Sequence, residues 1–452
     1  EGKIVQDEEI KKLITSKRPY KKWIDESLIA LKEIPYNNSD SESEGESFET
    51  RMRIFGYTQE DVRMILEPMA TDGVEPVGSM GNDTPLAVLS DHTPLLFSYF
   101  KQLFAQVSNP PLDGIREELV TSVETFVGSE GDLFDETPEH CHQLKLSEPV
   151  LTNKELNKIR NISVGKLRAK IISTLFRPQG SPGALKKAME SLCESAEQAI
   201  EQGYTILVLS DRGVDAENVP IPSLLATSGV HHHLIKDGIR TKVGIIVESG
   251  EPREVSHFAL LFGYGASAVN AYLALDTLRE LVNRQYFADG LDYAQAEKGF
   301  VKAIHKGVVK VMSKMGISTL QSYRGAQIFE AVGLNDKFVG EYFTWTPSRI
   351  GGIGIDEIES ESMSRHSFAY SEQPSDSNTQ LKFGGHYQWR RDGEFHMWNP
   401  NTITSLQHAV RENSWESYEQ FANSVDQETK RLSTIRGLLE FKKSGDPIPV
   451  ND

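Results

Sequence analysis

Only two cysteines occur in 452 residues, Cys141 and Cys193, with no Cys-x-x-Cys and no histidine at ligand spacing. That leaves no zinc or iron–sulfur ligand set and fits a reduced, cytosolic compartment. Long apolar runs are equally scarce. None approaches the roughly 20 residues that cross a bilayer. Basic charge is in deficit, 48 Lys and Arg against 65 Asp and Glu, and the net charge of −17 repels nucleic acid and anionic membranes alike. Gly-x-Ser-x-Gly, His-Glu-x-x-His, a P-loop and an N-terminal nucleophile are all missing. The start, Glu1 to Ile14, has neither a signal-peptide core nor an initiator Met and reads as a cut end inside a longer chain.

The length has room for two or three domains. Two short helical patterns precede the acidic run Asn37 to Ser47, which cannot bury apolar surface and reads as a surface loop, with phosphorylation or docking as its alternative. Thr58-Gln59-Glu60-Asp61 predicts a capped helix closing at Ile65 to Met69. Glycine and proline then crowd Gly73 to Pro85 into a long loop. Leu95 to Phe104 is apolar almost all round, which predicts a buried helix.

From Gly183 to Tyr264 helix and strand signals alternate. A helix over 184–202 stops at Gly203, and 205–210 is an apolar strand. A helix over 220–236 stops at Asp237-Gly238, and 243–248 is a second strand. This βαβ pattern predicts an α/β fold with a mostly parallel, doubly covered sheet. Polar turns follow both strands, and loops at strand C-termini form the functional rim of such sheets. Asp211, Arg212 and Glu248 are therefore rim candidates for a small anion or nucleotide; the competing reading is that they cap the next helices. Gly263-x-Gly265 and Gly351-Gly352-x-Gly354 read as structural turns. His231-His232-His233 fans around a helix instead of converging, so packing and capping are expected of it and no metal. Helices near 270–282 and 292–314 follow, with a boundary near 335–345.

The stretch from Glu75 to Ser90, containing Gly78-Ser79-Met80-Gly81-Asn82-Asp83-Thr84-Pro85, resembles the central-domain signature of glutamate synthases. Further similar blocks are Tyr99 to Pro111, Arg116 to Leu119, Val208 to Arg212, Pro220 to Ala226, His257 to Ala266, Tyr323 to Ala331, Ser348 to Gly354 and Arg436 to Phe441. The resemblance implies an iron–sulfur flavoprotein that hydrolyses glutamine, channels ammonia to 2-oxoglutarate and reduces 2-iminoglutarate with FMN. It divides the chain into a linker (1–50), a central domain (51–338) and the first, incomplete part of an FMN-binding (β/α)8 domain (339–452). It carries no catalytic, cofactor or metal residue onto this segment; FMN and a 3Fe-4S cluster are implied for the whole enzyme. It also implies a role in holding the amidotransferase and FMN domains of the same polypeptide in register. Ser79, Met80, Gly81, Asn82, Asp83 and Thr84 are the candidates for lining an ammonia tunnel, with an ordinary tight turn as the competing reading. Asp83 is expected to be a turn or N-cap residue, since a carboxylate would trap ammonium. A small NAD(P)H-oxidising subunit or ferredoxin is the implied partner. The wording at 78–84 and 248–255 is closer to the pyridine-nucleotide-dependent bacterial enzymes.

Overall fold

The computed structural model describes residues 2, 4–36, 46–78, 81–104, 111–132, 134–178, 182–287, 290–371, 381–428, 434–439, 442 and 445. The strands that position the candidate sites are β1 (Phe100–Gln102), β2 (Leu167–Ser173), β3 (Ile206–Ser210), β4 (Gly244–Glu248), β5 (Ala268–Asn270), β6 (Phe329–Leu334) and β7 (Ser348–Ile353). β2, β3, β4 and β5 lie side by side and run parallel, with Ile206 opposite Ala169 and Gly244, and Ile246 opposite Ala268. Helices Ala184–Glu201, Ser223–Lys236 and Val255–Gly263 make the three crossovers. The fold is α/β, as the alternating pattern predicts.

Every residue of β3 and β4 is buried. Side chains alternate between faces along a strand, so two cores result. Leu207, Leu209, Ile245 and Val247 join the larger one, while Ile206, Val208 and Ile246 pack with Leu144, Leu146, Leu156 and Ile159 in the smaller one. Each such side chain contributes about 1.5–3 kcal/mol on burial, which is why these short, doubly apolar strands are the fold's anchor. Helix Ala184–Glu201 turns Leu185, Met189, Leu192, Cys193, Ala196 and Ala199 inward, the i, i+3, i+4 face that its sequence spells. Its start is capped from far along the chain: Glu359 Oε2 accepts from the N–H groups of Gly183 and Leu185, at 3.0 and 2.9 Å.

Three local expectations differ from the structure. Leu95 to Phe104 holds a 3-10 turn (Leu96–Tyr99) and then β1, not an α-helix. All-round apolarity specifies burial and not periodicity, and the aromatic Phe100 is equally at home opposite Ala331 in β6. The helix capped by Thr58 and Asp61 runs on through Pro68 to Asp72. A π-helical turn at Asp61–Leu66 precedes the proline and supplies the wider spacing that its ring and missing N–H require. Gly351 and Gly352 lie within β7 and not in a turn: a Cβ at Gly352 would meet the Gly333 carbonyl oxygen at 2.1 Å, so glycine permits the approach of β7 to β6.

The expected junction near 335–345 is occupied by helix Asp336–Tyr342, and the strands on either side of it, β6 and β7, pair in parallel. β7 leads into helix Ile355–Tyr370, a single β/α step, and helices Pro400–Arg411 and Trp415–Glu428 follow. Among the described residues no helix is long and apolar enough to cross a membrane. The acidic run lies almost wholly outside the described residues.

Candidate functional site

The polar turns after β3 and β4 meet as their positions predict, but they turn inward. Glu248 is 1% exposed. Its Oε1 accepts from Arg212 Nε at 2.5 Å, and its Oε2 accepts from Ser210 Oγ at 2.7 Å and from Arg160 Nη2. Arg160 arrives from helix Asn153–Arg160, and the Arg212 guanidinium also lies 4.1 Å from the centroid of the Tyr272 ring. Asp211, likewise 1% exposed, accepts from Ser249 Oγ at 2.5 Å and from Gly250 N at 3.1 Å. Burial pushes its carboxyl up to about 7; the Ser249 bond works against this, and the charge of Glu251 adds to it. Glu251 Oε2 accepts from Ser223 N and Oγ at 2.8 and 2.6 Å, which caps helix Ser223–Lys236. Glu251 thus caps the helix before its strand, whereas the sequence pattern led to the expectation that the turn charges cap the helices that follow. Asp211, Arg212 and Glu248 instead form a buried lock between strand ends, bonded to protein groups.

Ser79 and Met80 lie outside the described residues. Gly81, Asn82, Asp83 and Thr84 form a surface turn in which Asn82 Oδ1 accepts from Thr84 N and Oγ1, at 2.9 and 2.6 Å. Asp83 is the turn's fastening. Its Oδ1 lies 2.9 Å from His396 Nδ1, its Oδ2 accepts from Trp398 N at 2.9 Å, and its backbone oxygen accepts from Met397 N at 3.2 Å. Partial burial acts to raise its pKa, but the Trp398 N–H and His396 outweigh that and hold it below the usual range.

The three histidines separate around their helix. His231 is buried and its Nδ1 accepts from Arg240 Nε at 2.9 Å; burial, then Arg240, keep it well below the ordinary histidine value. His232 is pushed down to about 4, chiefly by burial. His233 meets Glu197 and Asp237 near the surface.

A cavity of about 740 Å3 opens beside the second sheet. Its walls come from residues 53–61 and 91–102, from the start of helix Val255–Gly263, and from 364–368 and 382–394. Phe97, Phe100, Phe329 and Phe368 line it, with Glu75, Lys101, Glu254 and Lys382 among them. Arg253 fixes one wall: it pairs with Asp61 at 3.3 Å, lies over the Tyr57 ring at 4.3 Å and donates to the Phe55 and Gly56 carbonyls. His257 stacks on Phe97 at 4.3 Å, and burial and then Arg253 push it down to about 3, so it is neutral. Glu60 closes another wall by accepting from the N–H groups of residues 385–388 at 2.6–3.2 Å. Glu75 is exposed at the cavity's edge, and the protein around it, then the charge of Glu254, raises it to about 7. Lys101 is lowered by desolvation. Aromatic rings and many ionisable side chains thus share this cavity, a setting that suits a small polar molecule.

Residues 50–335 match the family model of the glutamate synthase central domain. The chain belongs to the glutamate synthase family. It is 44% identical over 452 residues to the glutamate synthase [NADPH] large chain of Bacillus subtilis, covering 100% of this chain and 29% of that protein. The glutamate synthase [NADH] of Schizosaccharomyces pombe is 40% identical, with 100% and 22% covered, and a ferredoxin-dependent glutamate synthase of Arabidopsis thaliana is 40% identical, with 99% and 28% covered. The chain thus spans under a third of the length of these relatives. Among solved structures, the flavin-binding domain of baker's yeast flavocytochrome b2 aligns at a TM-score of 0.27 and 14% identity over 46% of this chain and 41% of that one, too remote to carry an argument.

The signature loop and the cavity both contact the segment that follows the central-domain match. Asp83 holds 396–398, while Ser90 Oγ donates to Glu394 Oε2 at 2.6 Å and His92 Nε2 lies 3.2 Å from the Gly393 oxygen. Sequence reasoning missed the cavity groups Glu75, Lys101, Glu254 and Lys382. Glu75 and Lys101 fall inside the resembling blocks, but nothing in the sequence brings them to one space.

Proposed function

We propose that this chain is the segment of a glutamate synthase that holds the amidotransferase and FMN domains in register and lines the passage for ammonia between them. The whole enzyme would convert L-glutamine, 2-oxoglutarate and a reductant into two L-glutamate in the cytosol, where the two free cysteines stay reduced. The observation that carries this reading is the cavity, lined by Phe97, Phe100, Phe329 and Phe368 together with ionisable groups, and walled partly by the 384–394 stretch whose continuation Asp83 clamps. Gly81, Asn82 and Thr84 would form its mouth, and Asp83 fastens their turn.

Flavin and cluster chemistry belong to the rest of the polypeptide. A flavin phosphate needs N–H groups or arginines turned toward it at a strand end, and here Arg160 and Arg212 both engage Glu248. Two cysteines do not make a 3Fe-4S ligand set. These residues do not fit either group, and no redox step runs through them. The same pairing argues against a self-contained anion-binding enzyme at Asp211, Arg212 and Glu248. The reductant would reach the FMN domain through a small NAD(P)H-oxidising subunit or ferredoxin.

Gly81→Phe in a whole glutamate synthase carrying this segment tests the passage. Glutamine hydrolysis should continue while free ammonia accumulates and glutamate formed per glutamine falls below two. Unchanged stoichiometry would refute the mouth. The isolated chain should stay colourless after incubation with FMN and gel filtration, and stoichiometric yellow protein would refute the scaffold reading.

A further inference from the structure

His233, Asp237 and Glu197 are not used by the passage or by the strand-end lock. His233 lies in the last turn of helix Ser223–Lys236 and Asp237, four residues on, is its C-cap, a spacing that stacks side chains on one face. Glu197 projects from the neighbouring helix Ala184–Glu201 onto the same spot. His233 Nε2 lies 2.5 Å from Glu197 Oε1 and 3.2 Å from Asp237 Oδ2, and the three ligand atoms all fall within 4.8 Å of one another.

We propose that Glu197, His233 and Asp237 form a binding site for a divalent transition metal ion, Zn2+ in type, that staples these two helices. A tetrahedral zinc with bonds of about 2.0–2.1 Å holds its donors roughly 3.3–3.5 Å apart. The His233–Asp237 separation already matches, and Glu197 needs to retreat by under about 1 Å, which one carboxylate rotation supplies. Two carboxylates and a neutral imidazole carry the charge that a divalent ion needs, and their mixed N and O donors favour zinc-like ions over calcium or magnesium.

The neighbouring groups leave the site open to a cation. Lys236, on the same helix, directs its Nζ to the Glu341 oxygen at 3.2 Å. His232 lies edge-on to the His231 ring, 5.1 Å between centroids. Cys193, one turn before Glu197, is buried and does not belong to the group whose ligand atoms converge here, so the fourth position falls to water. The three ligands are between 34 and 42% exposed, which gives an ion a way in.

The test is calorimetric titration of the purified, chelator-treated chain with Zn2+, beside His233→Ala and Glu197→Gln. One equivalent should bind the parent chain, and each substitution should weaken binding at least about 100-fold, beyond the loss caused by disturbing an outer-sphere partner. Circular dichroism should show both variants folded, because the side chains are at the surface. Co2+ should give the intense visible absorption of a four-coordinate ion in the parent chain and not in His233→Ala. Absence of saturable binding, or binding unchanged in both variants, would overturn the proposal.

Discussion

Glu248→Ala removes the carboxylate on which Arg160 and Arg212 converge. Those side chains are 8 and 18% exposed, so neither reaches enough water to replace the lost partner. Arg212 keeps its contact with the Tyr272 ring, and Ser210 Oγ loses its acceptor. Removing one member of a buried ion pair costs about 3–5 kcal/mol, because the remaining charge is left uncompensated. At about 2–4 °C per kcal/mol for a domain of this kind, the melting temperature should fall by roughly 6–20 °C. Glu248→Gln is no rescue, since its amide N–H2 would face arginine donors. Combining Arg212→Met with Glu248→Ala should cost less than the sum of the two single substitutions, a coupling that a double-mutant cycle reads directly. Urea unfolding followed by circular dichroism, with Glu280→Ala at the exposed Arg284 pair as control, provides the assay. The control should shift by less than about 1 kcal/mol. If Glu248→Ala unfolds within that same margin, the strand-end cluster is not a lock and its arginines have another role.

Gly299→Ala should destabilise although alanine is the better helix former, because a Cβ there would sit 2.1 Å from the Ala70 carbonyl oxygen; a loss of about 1–3 kcal/mol in urea unfolding is expected. Asp211, raised to about 7 when folded against an ordinary value near 3.9, gives a stabilising contribution that is complete below about pH 4 and is lost as pH rises through 7. Between pH 5 and 8 the unfolding midpoint of the parent chain should therefore fall relative to that of Asp211→Asn, and parallel profiles would refute the assignment. Asp83→Ala should release 396–398 from the signature turn and speed tryptic cleavage at Arg390 and Arg391, with cleavage elsewhere unchanged.

What could be read from the sequence is what local pattern determines. β3 and β4 are apolar at every position and bounded by polar turns, so their existence, order and double burial follow from their residues. β1 could not be read, because its partner β6 lies more than 200 residues away and only that pairing decides between turn and strand for Leu95 to Phe104. The cavity escaped for the same reason: Glu60 meets 385–388 across a separation of over 320 residues, and such contacts leave no periodicity behind. The rim residues were located correctly by topology, yet their role turns on Arg160, which stands before β2 and 88 positions from Glu248. A parallel sheet concentrates polar groups at its carboxyl edge, where related architectures receive ligands. In this chain a protein guanidinium enters from the opposite side of the strand order and satisfies Glu248 internally. That edge is thereby converted from a binding rim into a rigid joint, which is what a segment needs if it must hold neighbouring domains at a fixed separation.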